Sequence, residues 1–148
     1  MKSIKKIGGT IMSNKQEIGS LLLRVVLGIL FLAHGAAKFQ GGIENIVGWF
    51  DSIGLPGGLA YIVATIELVG GIALILGIGT RVVSALIGLI MVGAIFKVKL
   101  AAGFLDGYAY DLVLLIVAVY LVLNGSKLYS LGQLFFKGQE NKNSVKAA

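Results

Sequence analysis

The side chains with chemistry to offer in this chain are few and unusually placed. Arg24, Phe31, His34 and Lys38 fall within one apolar run, Ile18 to Phe39 (IGSLLLRVVLGILFLAHGAAKF); Glu67 sits near the centre of a second, Asp111 opens the last, and Arg81 follows a turn. A charge inside an apolar segment is costly and is kept where it pairs, binds a ligand or moves a proton. Arg24 and Glu67 are the two with no short route to water. Counted from the same end of their runs, they differ in depth by about five residues, roughly 7 Å at the helical rise, which an arginine can span. The spacing predicts a structural ion pair between Arg24 and Glu67 that can also serve a ligand or a proton. His34 and Lys38 fall at the other end of the first run, level with Tyr108, Tyr110 and Asp111 and with Lys97 and Lys99. Around one mouth, these groups suit a polar or anionic headgroup, or a quinone whose carbonyl oxygens accept their hydrogen bonds. The plainer reading, snorkelling lysines and interfacial tyrosines, applies best to Lys97, Lys99 and the tyrosines.

Other chemistries are excluded by residue type. Cysteine is absent, which removes disulfides, thiolate metal sites and iron–sulfur ligation, and a single histidine, His34, leaves no bis-histidine haem site. Neither a metal nor a covalently held cofactor is expected. Any redox group must be diffusible or borne by a partner. The many glycines, among them Gly28, Gly35, Gly70, Gly71, Gly77, Gly88 and Gly93, are spaced as small residues that let helices approach, and they form no phosphate-binding loop.

Hydrophobic residues make up 57% of the 148 and charged residues 14%, with 22 glycines and one proline. That is too apolar for a soluble domain of this size, so the predicted class is all-α and integral to the membrane. Arg24, Gly28, Phe31, Gly35 and Lys38 recur at steps of four, three, four and three, which places all five on one helical face turned toward protein neighbours. From Gln40 to Gly58, Ile43, Ile46, Val47, Phe50 and Ile53 recur at helical spacing opposite Glu44, Asn45, Asp51 and Ser52, with Trp49 at an interface. This reads as a short amphipathic helix on the membrane surface, turned back into the bilayer by Gly54-Leu55-Pro56-Gly57-Gly58. A second span is expected from about Leu59 to Ile78. The third runs from Val82 to Phe96 with an extension toward Leu105, and the fourth from Tyr110 to Leu123. The predicted architecture is an antiparallel four-helix bundle with a short interfacial helix in its first outer loop. Residues 1–17 read as a basic tail, 18–131 as the membrane domain and 132–148 as a second tail with a disordered end. The first run exceeds the usual signal-peptide core and holds Arg24, so it is expected to be retained.

The net charge of +6 does not mark a nucleic-acid surface, because the cations lie in the tails and at span ends. Lys2, Lys5, Lys6, Lys15, Arg81, Lys127, Lys137, Lys142 and Lys146 fall on one side and Lys38, Lys97 and Lys99 on the other, nine against three. Both termini are therefore expected in the cytoplasm, with lipid as the main partner.

The motif R-x3-G-x2-F-x3-G-x2-K in the first span, the Gly-Leu-Pro turn, E-x2-GG-x2-L-x2-G from Glu67 to Gly77 and the following Thr80-Arg81 resemble the DoxX family of small four-helix bacterial membrane proteins. The likeness covers about Ile18 to Leu131. It implies a bacterial plasma-membrane protein, similar to short members linked to oxidoreductase chemistry under catechol or quinone stress. For some relatives it implies a subunit of a quinone-reducing thiosulfate oxidoreductase. It carries over Arg24, Lys38, Glu67 and Arg81 as recurrent polar positions. Where many relatives have Gly-Pro-Gly before Tyr-Ser-Leu-Asp, this chain has Asn124-Gly125-Ser126 before Tyr129-Ser130-Leu131-Gly132. The resulting expectation is a quinone-binding subunit that takes electrons from a soluble or membrane oxidoreductase partner, with a homo-oligomer allowed. The rivals are a proton- or ion-coupled transporter or channel built on Arg24 and Glu67, and a non-catalytic anchor or assembly factor that uses the basic tail from Lys127.

Overall fold

The computed structural model describes residues 2–133, with side chains from Asn14 onward. It is all-helical among those residues: α1 (Lys2–Gln40), α2 (Ile43–Ser52), α3 (Gly58–Leu76), α4 (Thr80–Ala94) and α5 (Ala109–Asn124). Between α4 and α5 lie two π-helical turns, Ile95–Lys99 and Phe104–Tyr108, on either side of a 3-10 turn at Leu100–Ala102. Four segments are long and apolar enough to cross a membrane: Asn14–Gln40, Gly58–Leu76, Thr80–Ala102 and Phe104–Asn124. The protein is thus a polytopic membrane protein.

One boundary differs from the sequence reading. The basic segment expected as a tail is helical from Lys2 and continuous with the first span, with no proline to interrupt it. The third span takes the extension expected beyond Phe96, through the π and 3-10 turns to Ala102, and Gly103, with φ at 84°, reverses the chain into the fourth. The second tail from residue 134 onward falls outside the described residues.

The four long helices pack in a closed ring, α1 on α3, α3 on α4, α4 on α5 and α5 on α1, with neighbours antiparallel. The tightest seam is α1 against α3. A Cβ added at Gly35 would lie 2.4 Å from the Leu68 amide nitrogen, and one at Gly71 would lie 2.4 Å from that of Leu32, so only glycine permits this approach. The glycine-bearing face of the opening helix is thereby turned onto α3. Leu27, Phe31, Leu74, Ile87, Met91, Leu114, Ala118 and Leu121 form the core between the helices. Most remaining apolar side chains, such as Leu22, Val26, Val69, Val82, Val113 and Ile116, face outward, as a lipid solvent requires.

At the basal end of the bundle, Gly77 (φ 73°) ends α3 and three residues later, at Thr80, α4 begins. At the distal end, α2 lies across the helices. An Asp51 carboxylate oxygen accepts the Gly57 amide hydrogen at 2.8 Å, which caps the entry to α3. The Tyr61 hydroxyl donates to Glu44 and ties α2 to α3 from the other side.

Candidate functional site: a distal pocket between the helices

Five helices converge on a cavity of about 560 Å³ at the distal end, the size of a site for a small organic ligand. Its walls are chiefly apolar. Phe31 and Met91, both in the core, line it from α1 and α4 together with Leu114 from α5, and Trp49 and Phe50 of α2 cover it. Those two rings meet edge-on at 5.4 Å between centroids. Trp49 and Phe50 belong to the site although the sequence marked them only as interfacial. Their signal was the apolar stripe of α2, which needed a concave surface beneath it.

The polar groups of the pocket come in pairs. Lys38, two residues from the end of α1, donates to Glu67 of α3 in an ion pair, with the carboxylate side chain 5% exposed and the lysine 23%. Lys99 Nζ lies 3.2 Å from Asp111 Oδ2. That contact is close enough for an ion pair but not aligned for a hydrogen bond, because Oδ2 is buried without a hydrogen-bond partner. Asp111 thus lines the cavity as a carboxylate ion-paired to Lys99, with an Oδ2 that accepts no hydrogen bond. The π-helical turn at Ile95–Lys99 adds a residue to the α4 spiral and so re-aims the side chains beyond it, and Lys97, Val98 and Lys99 all reach the lining. His34 stands on the rim, exposed, with its ring centroid 6.4 Å from that of Phe31.

Of the residues singled out in the sequence, the structure brings Phe31, His34, Lys38, Glu67 and Asp111 to one pocket. It does not bring Arg24 there. Arg24 is 1% exposed and lies at the basal end, where Nη1 donates to the carbonyl and hydroxyl oxygens of Ser126, each at 3.4 Å, and Nη2 to the carbonyl of Tyr129 at 3.2 Å. The expected Arg24–Glu67 ion pair is not formed. The guanidinium is packed beside Gly77, ten residues from Glu67 along α3, or about 15 Å at the helical rise. Helical side chains lean toward the N-terminus of their own helix, so on antiparallel helices the heads of Arg24 and Glu67 diverge while those of Lys38 and Glu67 converge.

Arg24 has a different task. It holds the chain after α5 against the α3–α4 turn, aided by Ser130 Oγ, which donates to the Gly77 carbonyl at 2.6 Å. Glu17 Oε2 accepts the amide hydrogens of Lys127 and Leu128 at 2.9 and 3.1 Å. The sequence reading missed Glu17; its signal was an acid on the last turn before the apolar run. Arg81 is exposed at the same turn and lies against Gly125.

A small multi-helix membrane protein with an apolar pocket, ion-paired and roofed at one end, is the class these features define. The chain belongs to the DoxX family, whose model matches residues 19–100. Among its relatives is the Bacillus subtilis protein named "Putative oxidoreductase CatD", 46% identical over 132 residues that span 89% of this chain and 98% of that one. An uncharacterized membrane protein of Mycobacterium tuberculosis is 32% identical, covering 79% of this chain and 81% of its own. A shorter stretch, 47% of this chain and 53% of the relative, is 31% identical to the Escherichia coli inner membrane protein YqjF. No solved structure matches.

Proposed function

We propose that this protein is the membrane subunit of an oxidoreductase system and binds a quinone, or a similar flat lipid-soluble ring, in the distal pocket. The observation that carries the reading is one cavity in which apolar and aromatic walls meet a buried carboxylate oxygen with no hydrogen-bond partner. Phe31, Met91 and Leu114 would contact the ring faces, with Trp49 and Phe50 above them. Lys38, Lys97 and Lys99 carry the N–H donors for carbonyl oxygens, and the Asp111 carboxylate is the acceptor for a ring hydroxyl. A quinone, when bound, supplies the two-electron chemistry that side chains of this chain lack. A partner would have to give or take the electrons, since this chain has no cysteine and only one histidine with which to hold a redox centre. The name of the Bacillus subtilis relative agrees with such a role.

Both the residues and their placement favour a blind pocket over a conduit, because Arg24, Gly77 and residues 126–130 fill the basal end. With the cation count placing both termini in the cytoplasm of a bacterial cell, the pocket would open on the outer leaflet. The test is mass spectrometry of the organic extract from protein purified in native-lipid discs, beside Asp111→Leu prepared identically. Enrichment of a quinone in the wild type and its loss in the variant is the expected result. A wild type with no such enrichment would overturn the reading.

A further inference from the structure

We infer, resting on the ring-binding reading above, that the pocket is loaded sideways from the bilayer: the cleft between α3 and α4 seats the hydrocarbon tail of the ligand while its polar ring lies at Lys38, Glu67 and Asp111. The two helices are held together near their turn, where a Cβ added at Gly70 would sit 3.0 Å from Val83 Cγ1. Farther toward the distal end, both line the cavity instead. Ile62 on α3 and Leu89 on α4 are cavity walls and yet are 55% and 69% exposed, so neither is covered by another helix. Side chains that serve both surfaces mark a place where the remaining wall of the cavity is lipid.

Two of the other seams and the distal end are closed. Glycine contacts seal α1 against α3, Leu115 and Ala118 sit over Gly88 between α4 and α5, and α2 covers the distal end with Trp49 and Phe50. Gly93 fixes the path of the tail. It lines the cavity from α4, and no atom lies within 4 Å of where its Cβ would be, so the cleft runs past it unobstructed. Glu67 is nine residues from the start of α3, about 14 Å along the helix, so a ring held there has its tail at the depth of the hydrocarbon core. The occupant is thus an amphiphile dissolved in the membrane rather than a solute from water.

The only tryptophan, Trp49, lines the pocket, so a benzoquinone bound there would quench its fluorescence. Wild type, Gly93→Leu and Gly93→Ala in lipid discs are titrated with decyl-tailed benzoquinone and with tetramethylbenzoquinone, which has no tail. The leucine enters open space, so the variant folds, as its melting temperature will show. It displaces about two methylenes of tail from the cleft into lipid, a loss of packing contacts that corresponds to about a fivefold loss of affinity for the tailed ring, while the tail-less ring changes less than about twofold. Gly93→Ala stays near wild type, and Ile62→Trp on the facing wall repeats the tail-selective loss. Equal wild-type affinity for the two probes, as expected if a phospholipid chain fills the cleft, or equal loss of both in Gly93→Leu would overturn lateral loading and leave the ring site standing. Failure of both probes to bind the wild type would overturn the ring-binding reading itself.

Discussion

Removing either member of the Lys38–Glu67 pair should cost stability, and the two losses should be unequal. Glu67 is short, fixed in mid-helix and 5% exposed, whereas Lys38 is 23% exposed and lies two residues from the distal end of α1. In Glu67→Leu, the orphaned ammonium can snorkel to the interface, at a cost of about 1–2 kcal/mol. In Lys38→Leu, the carboxylate has no such route and remains as an uncompensated buried charge, at a cost of about 3–5 kcal/mol. The double variant replaces a buried pair by two apolar side chains and should lie within about 1 kcal/mol of the wild type. The cycle therefore yields a coupling of about 3 kcal/mol or more, read from reversible unfolding in detergent. The parallel cycle of Arg24→Leu with Glu67→Leu should be additive within about 0.5 kcal/mol, because the two groups share no partner. Additive losses for Lys38 with Glu67, or strong coupling of Arg24 to Glu67, would refute the pairing.

Gly35→Ala and Gly71→Ala each drive a methyl group against backbone of the facing helix and should cost about 1–3 kcal/mol in thermal unfolding, whereas Gly19→Ala, with nothing within 4 Å, should be neutral or stabilising. Arg24→Lys keeps the charge but loses the fork that reaches both the Ser126 and Tyr129 carbonyls. Residues 126–130 should then exchange amide hydrogens at least about tenfold faster, with ring binding in the distal pocket unchanged. Asp51→Ala leaves the Gly57 amide uncapped and should cost about 0.5–2 kcal/mol, with faster exchange confined to the α2–α3 corner; a global increase would show that the cap is not local.

The fold was legible because a lipid solvent leaves few choices: apolar runs of spanning length must be helical, and glycines on one face of the first run must meet another helix. The stripe of α2 and the turn at Gly54-Leu55-Pro56 were equally direct. Side-chain partnership was not, because it depends on register between helices. Counting depth from the ends of apolar runs placed Arg24 about five residues from Glu67, but the glycine seam sets Gly28 beside Gly71 and Gly35 beside Leu68. That register leaves Lys38, not Arg24, beside Glu67. The approach of Lys99 to Asp111 was more accessible, since twelve residues with Gly103 between them describe a hairpin that returns to the same level. The π-helical turns have no period the sequence could announce.

The pairing also decides what kind of head the pocket suits. With Lys38 matched by Glu67 and Lys99 by Asp111, the cavity holds two compensated pairs, and the remaining cation, Lys97, is exposed. An anionic headgroup would have to compete with carboxylates that are already buried beside their lysines, and separating those pairs is costly at low dielectric. An uncharged ring makes no such demand. It can take a hydrogen bond from a lysine that keeps its carboxylate and, in its hydroquinone form, give one to the Asp111 carboxylate. Of the two headgroup chemistries the sequence allowed around this mouth, the neutral one fits the charges as they are paired.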